Sequence, residues 1–222
     1  SSVGALLAFV FMVTGISYHR AFLYAIIPAV LGIMIIPAIQ EKKAGKLKTK
    51  KLAFKKIKLD FKLKLYLATI FIFCLGNSSN TFLLLKAKAQ GFSSAQVILL
   101  YFIFNLAAAV LAIPSGKLSD KWGRSAILVP GYLIYGLVYL GFANFSAKLL
   151  IIGLFIAYGA YTAFISGAER AFIVEAAPGG FEGTVLGVYG MLQGIGLLLS
   201  SIIAGVLWDT FGSNVPFWFG GI

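Results

Sequence analysis

Acidic side chains are scarce in this sequence, with seven aspartates and glutamates against nineteen lysines and arginines in 222 residues. Histidine and cysteine are scarcer still: His19 and Cys74 stand alone of their kinds. A lone cysteine excludes an internal disulfide and any cluster of thiolate ligands, so no metal site is expected and Cys74 reads as a core residue. No G-x-x-x-x-G-K-[ST] run is present to cradle a nucleoside triphosphate. GMLQGIG at 190–196 has glycines, but in apolar surroundings where a phosphate could not be reached. No catalytic triad can be assembled either. An enzyme is not expected, and no cofactor is implied.

Apolar residues are what the chain has in excess. They make up 60% of it against 12% charged, and the mean hydropathy is +0.94. Crossing a hydrocarbon layer of ~30 Å takes about 20 apolar residues as a helix. Uncharged runs of that order occupy 21–39, 65–85, 95–114, 125–147, 149–168 and 185–207, while 1–16 and 215 onward look like pieces of spans. The expected fold class is therefore an all-α polytopic membrane bundle, with about six complete transmembrane helices and two truncated ones. The start has no basic n-region and no small-residue cleavage site, so it does not read as a signal peptide. The chain reads instead as a fragment of a longer polytopic protein.

The formal charge of +12 is concentrated in one place, because residues 41–64 hold eleven lysines against Glu41 and Asp60. Nucleic acid is therefore not an expected partner; the lipid bilayer is. Basic residues near span ends collect on the cytoplasmic side. Placing 40–64, 115–124 and 168–184 there leaves only Arg20, Lys86, Lys88 and Lys148 opposite, and makes the intact spans alternate. The lysine-rich stretch is either a solvated linker, touching anionic lipid at roughly 1 kcal/mol per residue, or an amphipathic surface helix. Phe54, Ile57, Phe61 and Leu65 follow a helical spacing, but strict alternation from Ile57 to Leu65 also fits a strand.

Between two of the apolar runs lies IPSGKLSDKWGRSAIL, residues 113–128. It predicts a tight cytoplasmic turn, with Pro114 stopping the preceding helix and Gly116 and Gly123 permitting close approaches. Asp120 needs a cation or a helix N-terminus beside it, and Lys121 and Arg124 can reach carboxylates.

The positions Gly116, Leu118, Asp120, Lys121, Gly123 and Arg124 reproduce G-x-L-x-D-[RK]-x-G-R. In this the chain resembles the major facilitator superfamily (MFS), whose cytoplasmic motif A has that pattern. GAERAFIVEAAPGGFEGTVLGVYG, residues 167–190, is similar to the family's loop between helices 10 and 11, through Glu169, Arg170, Glu175 and Pro178. Glu182 departs from it, standing where the arginine of R-G-T belongs. LGNSSNTFLLL, residues 75–85, resembles helix 7 of some members. On this likeness residues 1–39 are the end of an N-terminal bundle (part of helix 5, and helix 6) and 40–64 the central cytoplasmic loop. Residues 65–222 are then a C-terminal bundle of helices 7–11 and the start of helix 12.

The resemblance implies secondary transport of a small-molecule substrate by a monomer in a bacterial or archaeal cytoplasmic membrane. Two bundles would rock about a site near the midplane. It also implies a cytoplasmic charge network as a latch, expected here as an Asp120 to Arg170 contact flanked by Glu169 and Arg124, with Glu175 a further partner. The cavity would be bordered by helices 7, 8, 10 and 11, with helices 9 and 12 outside. Polar residues at helical spacing on those four are Asn77, Asn80 and Thr81; Tyr101 and Asn105; Tyr158, Thr162 and Ser166; and Tyr189 and Gln193. The alternative is that such side chains only bond neighbouring helices. Gly183, Gly187, Gly190 and Gly194 form a bare packing stripe, and Pro28 and Pro37 predict a bent helix 6. His19 falls in a short outer loop. All seven acids fall in loops or near span ends, which leaves the cavity walls without fixed charge. On that ground an exporter of amphipathic compounds is expected ahead of a sugar or metabolite permease, with a non-transporting scaffold or receptor as the reading from another class.

Overall fold

The computed structural model describes residues 2–35 and 59–222. Most of the lysine-rich stretch lies outside those residues, with Glu41, Pro37, Phe54 and Ile57, and so does the choice among linker, surface helix and strand. Only its end is described. Asp60 caps a helix by accepting from the Phe61 amide at 2.8 Å, so Phe61 to Leu65 is helical and the strand alternative fails there.

The described elements are all helices: α1 Ser2–Val13, α2 Tyr18–Ile35, α3 Phe61–Gly76, α4 Asn80–Ala89, α5 Ser94–Trp122, α6 Arg124–Asn144, α7 Lys148–Ala176, α8 Glu182–Phe211 and α9 Val215–Gly221. Five stretches are long and apolar enough to cross a membrane, with α3 and α4 forming one interrupted crossing, Phe61–Ala89. That is one fewer than the apolar runs predict, because the run at 21–39 leaves the described residues after Ile35. Pro28 lies inside α2, and His19 belongs to that helix's first turn rather than to a loop.

Helix ends follow local chemistry. Ser79 caps α4, and α5 opens on a reciprocal box in which Ser93 accepts from the Gln96 amide while the Gln96 side chain accepts from the Ser93 amide. The turn predicted at 115–124 is instead helical through Trp122. Pro114 sits inside α5, where it withdraws one donor without ending the helix, and Gly123 alone, at φ 89°, makes the break before α6. In the same way α7 continues to Ala176, so Glu169, Arg170 and Glu175 are helical residues and not loop residues.

Packing makes one bundle end from the start of α3, the α5–α6 junction, the end of α7 and the start of α8. Leu63, Ile173 and Val185 share a core there. The larger core runs through α4 to α7 and takes in Phe217 of α9, with Tyr139, Phe142 and Phe155 almost fully enclosed. Leu133, Leu137, Leu149 and Ile202 point outward and are exposed. The main interface joins α5 to α7. A Cβ on Gly159 would lie 2.6 Å from the Phe104 carbonyl and 2.7 Å from the Ala107 Cβ, so only glycine allows that approach. The stripe of Gly183, Gly187, Gly190 and Gly194 meets nothing within 4 Å among the described residues. On α8 the close contact belongs to Gly196, against buried Cys74.

Candidate functional site

The site begins where the first crossing is interrupted. Ending α3 at Gly76 and restarting at Asn80 leaves backbone groups inside a bundle where each needs a partner. Side-chain hydroxyls of Tyr135, Tyr139 and Ser200 supply several. The Tyr135 hydroxyl donates to the Gly76 carbonyl at 3.1 Å, the Tyr139 hydroxyl to Asn77 Oδ1 at 3.3 Å, and Ser200 Oγ to the Asn77 carbonyl at 2.9 Å. Asn77 Nδ2 in turn donates to the Tyr161 hydroxyl at 3.4 Å, and the Tyr158 hydroxyl to Asn80 Oδ1 at 2.8 Å. Asparagine side chains are thus fixed at the break, facing α7.

Beside the break lies a cavity of about 220 Å³ between α3, α4, α5, α7 and α8. Seven of the residues picked out by helical spacing line it: Asn77, Asn80, Tyr158, Thr162, Ser166, Tyr189 and Gln193. Thr81 and Tyr101 line an adjoining space of about 380 Å³ that shares Asn77 and Asn80. Asn105 lines neither, and its amide donates to the Tyr101 carbonyl at 2.8 Å. Thr162 Oγ1 and Ser166 Oγ likewise bond back to carbonyls of their own helix.

Two charged residues complete the wall, which overturns the expectation of a cavity without fixed charge. Glu169 is only 3% exposed. The Tyr132 hydroxyl donates to its Oε1 at 2.5 Å, while the Tyr189 hydroxyl and Gln193 Nε2 donate to Oε2. It was misplaced because α7 runs seven residues past it, to Ala176, roughly two turns at 3.6 residues each. The signal was present: Tyr158, Thr162, Ser166 and Glu169 already mark one helical face. Arg170 lines the same cavity and is exposed to it, with no hydrogen bond or ion pair to another described residue.

The motif residues gather elsewhere, at the bundle end. Arg124 Nη1 lies 2.5 Å from Asp120 Oδ1 and 3.1 Å from Ser119 Oγ, while its Nε and Nη2 donate to Glu175 Oε1 at 3.1 and 2.7 Å. The cation of this cluster is therefore Arg124, and the expected Asp120 to Arg170 contact is absent. Arg170 is turned toward the cavity, and Glu169 also stands apart from the cluster. Asp120 and Glu175 have side chains 69% and 57% exposed, so water screens both pairs. Leu118 packs on the core, Gly116 borders a groove between α5 and α7, and Lys121 is exposed.

Two further features escaped the sequence reading. Helix α6 lines neither space, as expected, but it backs the site: its Tyr132, Tyr135 and Tyr139, at i, i+3 and i+7, form the face that bonds to Glu169 and the break. Lys86, assigned to an outer loop, is 1% exposed inside α4, and its Nζ donates to Asn214 Oδ1 and, at 3.4 Å, to Ser213 Oγ. An apolar run that ends at its first lysine cannot reveal a helix that continues past it.

Comparison with known proteins bears on the whole of this architecture. Residues 65–222 match the family model described as Major Facilitator Superfamily. Two uncharacterized MFS-type transporters of Methanocaldococcus jannaschii are similar. One is 34% identical over 206 residues, covering 89% of this chain and 52% of the relative. The other is 30% identical over 135 residues, covering 61% of this chain and 35% of the relative. A proton myo-inositol cotransporter of Caenorhabditis elegans is 32% identical over 121 residues, 52% of this chain and 19% of that protein. The chain thus spans about half the length of the first of these relatives, and less of the others. Since the matched segment is the one that forms the interrupted helix and its cavity, the chain belongs to the Major Facilitator Superfamily, as an integral multi-pass membrane protein.

Proposed function

We propose that the full-length protein is a secondary active transporter that carries a small polar solute by alternating access, with Glu169 as the ionisable group through which transport is coupled. One observation carries this reading: a carboxylate kept 3% exposed on a cavity wall, inside a span, by hydroxyl and amide donors from α6 and α8. Charge within a span is costly and is retained where it has a task. A rocking motion that shifts α6 or α8 against α7 would change which donors reach the carboxylate. The export of amphipathic compounds rested on an uncharged wall and loses that support. Carriage of a polar metabolite gains it, and the relative named as a proton myo-inositol cotransporter favours a polar solute and the same coupling. Residues 40–64 and 115–124 would be cytoplasmic, with Arg124, Asp120 and Glu175 acting as the latch at that end.

The test is uptake of labelled polar metabolites by proteoliposomes of the full-length protein, with and without an imposed proton gradient. Gradient-driven accumulation is expected in the wild type, and Glu169→Gln should abolish it while sparing solute exchange at equilibrium. Accumulation by Glu169→Gln at the wild-type level would remove the coupling role, and absence of any solute movement would remove the transport reading.

A further inference from the structure

Glu169 and Arg170 are chain neighbours on one cavity wall, yet their charges are in different situations. Both carboxylate oxygens of Glu169 already accept hydrogen bonds from other helices, and the side chain is enclosed. Its charge is answered within the protein. The Arg170 guanidinium faces the cavity with its fork of N–H donors unclaimed by any described residue. The other arginine at that end, Arg124, is held by Asp120, Ser119 and Glu175 and does not line this cavity.

We propose that the cavity binds a small organic monocarboxylate and that Arg170 is the residue that selects for its charge. This deepens the transport reading by naming the solute class, and it rests on that reading only for the location of the site. A planar guanidinium matches a carboxylate through two parallel hydrogen bonds, a geometry that neither an amine nor a neutral hydroxyl can reproduce. A cationic solute would be repelled by Arg170, while both oxygens of Glu169 are already taken by donors of the protein. A phosphate monoester, near two negative charges at neutral pH, would call for a second cation, and among the described residues the wall has none. Away from Arg170 the wall offers the rings of Phe73, Phe104 and Tyr161 for an apolar body, and the amides of Asn77 and Asn80 for a polar substituent. Arg170 is six residues from the end of α7, roughly 9 Å at the helical rise, which sets the site toward the bundle end that holds Arg124.

The experiment uses detergent-purified full-length protein and three probes of one shape: benzoate, benzamide and benzylamine. The reading is the concentration dependence of the rise in unfolding temperature, with lactate and lactamide as a second, aliphatic pair. Carboxylates should produce a saturable rise, and the amides and the amine none. Arg170→Gln should weaken the apparent affinity for benzoate by roughly tenfold or more, as loss of a charge-assisted pair requires. Arg170→Lys should retain part of it. Equal unfolding temperatures of the unliganded variants and wild type would confirm that these changes are local.

Equal binding of benzamide or benzylamine, a carboxylate preference that survives Arg170→Gln, or no saturable response to either carboxylate would each overturn the proposal. Exchange of labelled neutral metabolites that persists in Arg170→Gln, without carboxylate binding, would leave transport standing and this inference fallen. Carboxylate binding without movement of any solute would do the reverse.

Discussion

A carboxylate surrounded by hydroxyls differs in its energetics from one paired with a guanidinium in water, and this chain holds both. Glu169 depends on donors that cannot be replaced by solvent. Tyr132→Phe removes one of them with almost no change of shape and leaves Oε1 without its hydroxyl. The expected cost is about 1–3 kcal/mol, seen as a lower unfolding temperature of the full-length protein; an unchanged temperature would mean that water reaches the carboxylate. Arg124 presents the opposite case. Its partners are mostly solvated, so Arg124→Ala should scarcely move the unfolding temperature. If the cluster is a latch, the same variant should alter the flux measured in proteoliposomes; a large fall in stability with normal flux would assign the cluster to structure alone.

At the scale of elements, glycine positions separate surfaces that pack within the described bundle from surfaces that do not. Gly159→Val drives a side chain into the α5 backbone at the main interface, where the clearance for even a Cβ is 2.6 Å. Overpacking of this kind costs about 1–3 kcal/mol or more. It should show as loss of monodisperse protein in detergent, and normal yield and thermal stability would contradict the packing described. Gly190→Ala on α8 adds its methyl to open space, so the contacts described here predict no loss in the same assay.

The interrupted crossing shows how far an element could be read ahead of its fold. LGNSSNTFLLL reads as part of one continuous span, yet its Gly, Asn and Ser run, whose side chains compete for backbone groups, holds the break at residues 77–79. Which groups close the break could not be read, because Tyr135, Tyr139 and Ser200 come from helices 59, 62 and 123 residues away along the chain. The motif at 116–124 failed in the other sense. Gly, Pro and charge suggested a turn, but one glycine at positive φ suffices to separate α5 from α6, and packing on α7, with Ser115 donating to the Ala163 carbonyl and Leu118 on the core, overrides poor local propensity up to Trp122.

For the whole molecule, alternation of the crossings sets Lys121 and Gln90 at opposite ends of the bundle. In a cysteine-free background of the full-length protein, Lys121→Cys should react with a membrane-impermeant maleimide only in inverted vesicles, and Gln90→Cys only in right-side-out ones. Labelling of both from one side would break the proposed orientation.

Composition and spacing were enough to establish that the chain enters a membrane as helices, roughly where each crossing lies, and which family it resembles. These properties depend on local composition and spacing, and a run of apolar residues needs no partner to declare itself. Which polar groups meet became visible in the packed bundle: Glu169 with tyrosines of α6 and α8, Arg124 with a carboxylate 51 residues away, and Lys86 with the turn before α9. Those pairings depend on how each helix is rotated and how closely its neighbour approaches. That is set by side chains such as Ile165 and Leu154 against glycines of α6, and by the absence of one at Gly159. The same rotation that hides Glu169 leaves Arg170 open to the cavity, a distinction that two adjacent letters in a sequence cannot carry.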